Sequence, residues 1–326
     1  MRKVCLLFFL VLAAMMGCGE APVVVGDQLG ECACVPPAGA EGIAAGTGGL
    51  IATRFKSLEE LKIVVQIEYF TKEGKPVPEG EEASMVRVIH CSKGRQVTGI
   101  LESGISQDDI VKVQNGSFLD RLNLVFQSPY AVANREDLGR VYFLARRVPL
   151  SFGGGDLAFY DLAETSVANI NTPNLAFKDV KDTSEKGYIN SFNHITAQAF
   201  ICSIFSEELA NFVADLHERK NMRELTTGKF TENQLSNPVD NPVDNYVDIV
   251  NNEWGQELGN RLRKKYHISR DTWWTSELLS DYLNDIQGYY GWAFQIGLKP
   301  FRPEDEFVAR FSSKINTVMR NKYGGY

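Results

Sequence analysis

An antiparallel β-sandwich followed by an all-α helical domain is the fold class this sequence predicts, and three observations predict it. Short β-branched and aromatic runs alternate with turn signals from residue 63 to residue 162. From residue 188 onward, apolar residues recur every three or four positions instead. The composition, 44% hydrophobic and 23% charged over 326 residues, belongs to a folding chain of about two domains rather than to a fibrous or disordered one.

The amino terminus reads as an address. Arg2 and Lys3 precede residues 4–16, which carry no charge and are too few to span a bilayer permanently, so residues 1–17 read as a signal peptide. The ending Leu12-Ala13-Ala14-Met15-Met16-Gly17-Cys18 resembles a bacterial lipoprotein signal, with Met15 where leucine is usual. That resemblance implies acylation of Cys18, a lipid bilayer as partner, and a place in the bacterial cell envelope. Gly19 follows, where enterobacterial inner-membrane lipoproteins carry aspartate, and by the same resemblance this favours the outer membrane. No other run of 18 apolar residues occurs. The net charge of −7, which becomes −9 without Arg2 and Lys3, disfavours nucleic acid as a partner.

Residues 18–54, rich in Gly, Ala and Pro, read as a lipidated flexible tether. Cys32 and Cys34 flank Ala33 within it, but no second pair or nearby histidine completes a zinc set. Cys91 and Cys202 fall in apolar runs and read as small buried hydrophobes.

Residues 55–163 read as the sandwich. Runs at 63–70, 85–89, 97–101, 110–113, 122–126, 141–144 and 158–162 give seven expected strands. The turn Gly74-Lys75-Pro76-Val77 resembles those of immunoglobulin-like and carboxypeptidase-regulatory-like modules. His90 stands alone there and reads as structural.

Residues 164–326 read as the helical domain. Ile189, Phe192, Ile195, Ala199 and Cys202 share one face of a helix over 188–205. Ser206 then caps a second helix to Lys220, with Glu207 and Glu208 in its first turn and Arg219 and Lys220 in its last. The tandem Asn237-Pro238-Val239-Asp240 and Asn241-Pro242-Val243-Asp244 makes 221–243 a loop. Further helices are expected over about 244–265, 275–296 and 304–321. Trp273, Trp274, Tyr289, Tyr290 and Trp292 read as core aromatics, and His267 as exposed.

The third of these helices carries the strongest signal. Asp248, Asn251, Asn252, Gly255 and Gly259 fall within about 100° of one another at 100° per residue, beside Val247, Trp254, Leu258 and Leu262. Two helical glycines cost about 1 kcal/mol each against alanine, so a close backbone or a ligand is expected against them. Asn190, Phe192 and His194, then His217 and Glu218, then Asp248, Asn251, Asn252 and Gly255 form the series Asn-x-Phe-x-His, His-Glu, Asp-x-x-Asn-Asn-x-x-Gly. This series resembles a bacterial all-helical domain family of uncharacterised function found in secreted, surface and toxin-like contexts. The resemblance covers about residues 184–262 and departs at Asn193 and Ala197, where that family tends to have Arg and Trp.

Two imidazoles and a carboxylate from separate helices make an open site for one divalent metal, zinc or manganese, and hydrolysis is the reaction such a site supports. On this expectation His194, His217 and Asp248 are ligands and Glu218 is the general base or a partner that supports the ligands. Asn190, Gln198, Asn251 and Asn252 then orient ligands or substrate. The alternative is a non-catalytic surface binding or interaction module in which the same His, Asn and Asp side chains form a structural network.

Overall fold

Helix α10 (Val243–Tyr266) is buried on two sides, and the rest of the fold is laid against it. The computed structural model describes residues 48–92, 95–114, 117–172, 182, 184, 186–221 and 242–321. The expected signal peptide, Cys18, Cys32, Cys34, most of the tether and most of the 221–243 loop lie outside the described residues.

One side of α10 carries a four-stranded antiparallel sheet in the order β2-β1-β3-β4. After a short helix α1 (Leu58–Leu61), its strands are β1 (Val65–Phe70), β2 (Pro76–Val77), β3 (Met85–Ser92) and β4 (Arg95–Glu102). Strict alternation decides which side is buried. Val86, Val88 and His90 on β3 lie opposite Leu101, Gly99 and Val97 on β4, and all six face inward. The inward row meets α10: Trp254 Nε1 donates to His90 Nδ1 at 2.9 Å, and the Tyr69 and Tyr246 hydroxyls share a short hydrogen bond. His90 is thus structural, as its isolation in the sequence suggests, and burial pushes it down to about 4.

Among the described residues the expected β-sandwich is not found; one four-stranded sheet stands in its place. The runs at 110–113, 122–126, 141–144 and 158–162 belong to helices α2 (Gln107–Gln114), α3 (Phe118–Gln127), α5 (Arg135–Ala145) and α7 (Phe159–Ala168), with α4 (Pro129–Ala133) and α6 (Pro149–Phe152) between them. An apolar run of four or five residues fits either period, and the caps decide. Ser117 and Asp120 close a capping box: the Asp120 N–H donates to Ser117 Oγ and the Ser117 N–H donates to Asp120 Oδ2. On α7, Asp161 accepts from the Ala158 N–H, and Phe159, Leu162, Ala163, Ser166 and Val167 are buried at helical spacing. Helix α7 also runs through position 163/164, where the sequence pattern divides.

The remaining helices are α8 (Tyr188–Ile204), α9 (Glu207–Asn221), α11 (Ser276–Phe294) and α12 (Glu306–Arg320), close to the spans expected. Ser206 Oγ accepts from the Leu209 N–H at 3.1 Å, the predicted cap. The second side of α10 lies on α8 at very short range. A Cβ added at Gly255 would sit 2.7 Å from the Ile195 carbonyl oxygen, and one at Gly259 2.6 Å from that of Ala199. The two glycines therefore admit a neighbouring backbone, which offsets their helix cost.

Sheet and helices share one apolar core running from Leu50 through Val86 and Trp254 to Val318. A separate small cluster of Ile105, Ala131 and Leu216 underlies α2–α4 on the outer face of α9. Three expectations change here. Residues 50–52, placed in the tether by composition, are buried in the main core. Cys91 is half-exposed and disulfide-bonded rather than a buried thiol, whereas Cys202 is buried and free. Of the aromatics, Trp274, Tyr289 and Tyr290 are core residues, while Trp273 is exposed beneath the Arg320 guanidinium. His267 ends α10 at φ 52° and is exposed.

Candidate metal centre

Three helices converge where α8 and α10 are closest to α9. Helix α8 turns His194 inward because its apolar stripe is buried on both flanks, leaving the ring only 9% exposed. On α9 the consecutive residues His217 and Glu218 diverge by about 100°. Glu218 points into the interior and is 2% exposed, while His217 stays at the solvent edge. From α10 come Asp248 and Asn252, both buried.

His194 is the hub. Its Nδ1 lies 2.9 Å from Asn252 Oδ1 and 4.0 Å from Glu218 Oε1, and its Nε2 lies 3.3 Å from Asp248 Oδ2. The Asn252 side chain also donates to Glu218 Oε1 at 3.0 Å. Asn190 donates to Asp248 at 2.8 Å and to Asp244 at 3.3 Å, and Lys186 stands 3.8 Å from Asp244. The His217 ring centroid is 5.8 Å from that of His194, and His217 Nδ1 is 3.4 Å from Gln107 Oε1.

The electrostatics favour a cation. Burial and the nearby His217 push His194 down to about 4, and burial also lowers His217. Both rings are therefore neutral at pH 7 and keep a lone pair. Burial pushes Glu218 up to about 8 despite the Asn252 hydrogen bond. Burial, with the Asp244 and Glu218 charges, raises Asp248 well above the usual carboxylate range. Carboxyls in this state release protons when a cation replaces them.

Among the described residues, one group of His, Cys, Asp or Glu side chains could hold a metal ion: His194, His217 and Glu218, with ligand atoms all within 4.8 Å of one another. The donor set suits a divalent transition metal. Two ligands of one tetrahedral ion stand roughly 3.3 Å apart, so the group would have to draw together to hold one, and His217 is the member with solvent beside it.

The structure thus gathers His194, His217, Glu218, Asp248, Asn252 and Asn190, but alters their expected roles. Glu218, expected as the base, is in the ligand group, and Asp248, expected as a ligand, lies at the other ring nitrogen of His194. Gln198 and Asn251 are elsewhere. Gln198 Oε1 accepts from Gln256 Nε2 at 3.3 Å. Asn251, fully buried, accepts from the Leu50 N–H at 2.8 Å and donates to the Leu50 carbonyl at 2.9 Å. One turn before Asp248 on the same stripe, Asp244 joins the group by accepting from Asn190; it lies in the first turn of α10, with Pro242 at the cap position. Gln107 carries no signal in the sequence, because it reaches His217 from a helix expected as sheet.

No protein-family model, curated protein or solved structure matches this chain.

Proposed function

We propose that this chain is a lipid-anchored protein of the bacterial cell envelope whose helical body binds one divalent metal ion through His194, His217 and Glu218 and uses it for hydrolysis. The observation that carries the metal reading is the convergence of those three donors within 4.8 Å. When bound, such an ion supplies a polarising positive charge and lowers the pKa of a water molecule. The chain's own residues do the rest. Nδ1 of His194 donates to Asn252 Oδ1 in this structure; were an ion to take Nδ1, Asp248, 3.3 Å from Nε2, would accept the ring's proton there and hold the ring in place. Asn252 would then lose its contact with Nδ1 while its amide keeps Glu218 oriented. Asn190 keeps Asp248 aimed at the ring. Glu218, pushed up to about 8 by burial, would release its proton on holding the ion.

The anchor rests on residues 1–18 of the sequence. The disulfide at Cys91 agrees with an oxidising compartment, where such bonds persist. No described helix is long and apolar enough to cross a membrane.

One observation favours the second reading, a non-catalytic binding module. Asn252 joins His194 and Glu218 in a closed hydrogen-bonded chain, and Gln198 and Asn251 face no site. Zinc and manganese titrations of the purified chain at pH 7.5, with p-nitrophenyl phosphate and p-nitrophenyl acetate as probes, separate the two. Stoichiometric binding lost in His194→Ala, with turnover of either ester, supports the hydrolase. Binding without turnover supports the module, and no binding of either ion refutes the metal centre.

A further inference from the structure

The end of the expected tether enters the helical core through side-chain hydrogen bonds to its backbone. Leu50 is held on both backbone groups by the Asn251 side chain, at 2.8 and 2.9 Å, and Ser191 Oγ donates to the same carbonyl at 2.7 Å. A Cβ at Gly49 would lie 2.6 Å from Phe294 Cζ and 3.0 Å from Ile195 Cδ1, so any side chain there must push the Phe294 ring aside. Thr53 and Arg54 continue the attachment by binding Asp182 at 2.6 and 2.5 Å. Leu50 itself is 2% exposed.

The clamping residues flank the metal group. Ser191 is three residues before His194 on α8, less than one turn away. Asn251 immediately precedes Asn252 on α10 and follows Asp248 by three residues. Farther along, Gly255 and Gly259 already fix the two helices against each other, but at the level of His194 the docked chain lies across both.

We infer that Gly48–Leu50 is a positioning strap: by holding α10 against α8 it keeps Asp248 on His194 and Asn252 on Glu218, so strap docking and metal affinity are coupled. This inference rests on the metal reading. Asn251 and Ser191 are accordingly positioning residues that act through Leu50 rather than substrate contacts. Coupling is reciprocal: what the docked strap does for the ion, the ion does for the strap. A pull on the tether that lifted the strap would then loosen the ion.

The test uses the full chain, with zinc as the probe. Gly49→Val places side-chain atoms where the Phe294 ring stands and expels the strap; zinc affinity is expected to fall at least tenfold. In the wild-type chain, zinc is expected to slow hydrogen exchange of the Leu50 amide by a comparable factor, a measurement that decides the matter even where the variant fails to fold. Wild-type zinc affinity in Gly49→Val, or Leu50 exchange unaltered by zinc, overturns the strap alone. Absence of zinc binding by the wild-type chain overturns both the strap and the centre it serves.

Discussion

Replacing Glu218 by Gln separates what this carboxyl costs the metal-free fold from what it contributes to binding. Glu218 rises from an ordinary value near 4.5 to about 8, because burial penalises its charge. Between those values the folded chain holds a proton that the unfolded chain has released, so stability falls as pH rises, by about 1.4 kcal/mol per unit. His194 works the other way. Its shift from 6.5 to about 4 leaves the unfolded chain with the extra proton in that window, so stability gained there rises with pH and levels off above about 6.5. The two slopes oppose each other from about pH 4.5 to 6.5, and above 6.5 the Glu218 slope stands without that of His194. Glutamine keeps the hydrogen bond from Asn252 and carries no charge. With a chelator present, the stability of Glu218→Gln relative to wild type is therefore expected to climb by about 2 kcal/mol between pH 6.5 and 8, at the same 1.4 kcal/mol per unit. With zinc at a hundred times its dissociation constant, wild type gains about 2.7 kcal/mol and the variant gains far less. Urea unfolding at half-unit pH steps, with and without zinc, measures both. Parallel pH profiles for the two chains without metal would show that Glu218 is not the buried acid described here.

Two further outcomes follow from features already described. Gly255→Ala places a methyl 2.7 Å from the Ile195 carbonyl and is expected to cost about 1–3 kcal/mol in urea unfolding despite the better helix propensity of alanine; equal or greater stability contradicts the close α8–α10 approach. Cys18→Ser is expected to abolish palmitate labelling and to move the chain from the detergent to the aqueous phase on Triton X-114 partition; an unlabelled wild-type chain removes the lipid anchor.

The long helices were legible because seventeen or more residues, as in α8 and α10, hold enough turns to declare their period. The segment from 107 to 168 was not, since its apolar runs are short and its evidence lies in the punctuation between them. Ser117 with Asp120, Pro129 after Ser128 and Pro149 after Val148 all mark helix starts. At the site, the gathering of His194, His217, Glu218 and Asp248 could be read from stripes on separate helices. Their roles could not, because His217 and Glu218 are neighbours on α9 and only the packing says which one turns inward. Asn251 and Asn252 pose the same difficulty: one step of about 100° sends the first to the Leu50 backbone and the second to His194.

The small cluster of Ile105, Ala131 and Leu216 gives α2–α4 far less buried apolar backing than the main core gives α8 and α10, so the outer layer is expected to open first. His194 stands in the firm part, against the main core, whereas His217 stands where α9 meets the lightly built outer layer of α2–α4. An ion shared by the two rings would act as a rivet across that seam. Stripping it would first show as fraying of the outer layer, well before the rest of the molecule melts.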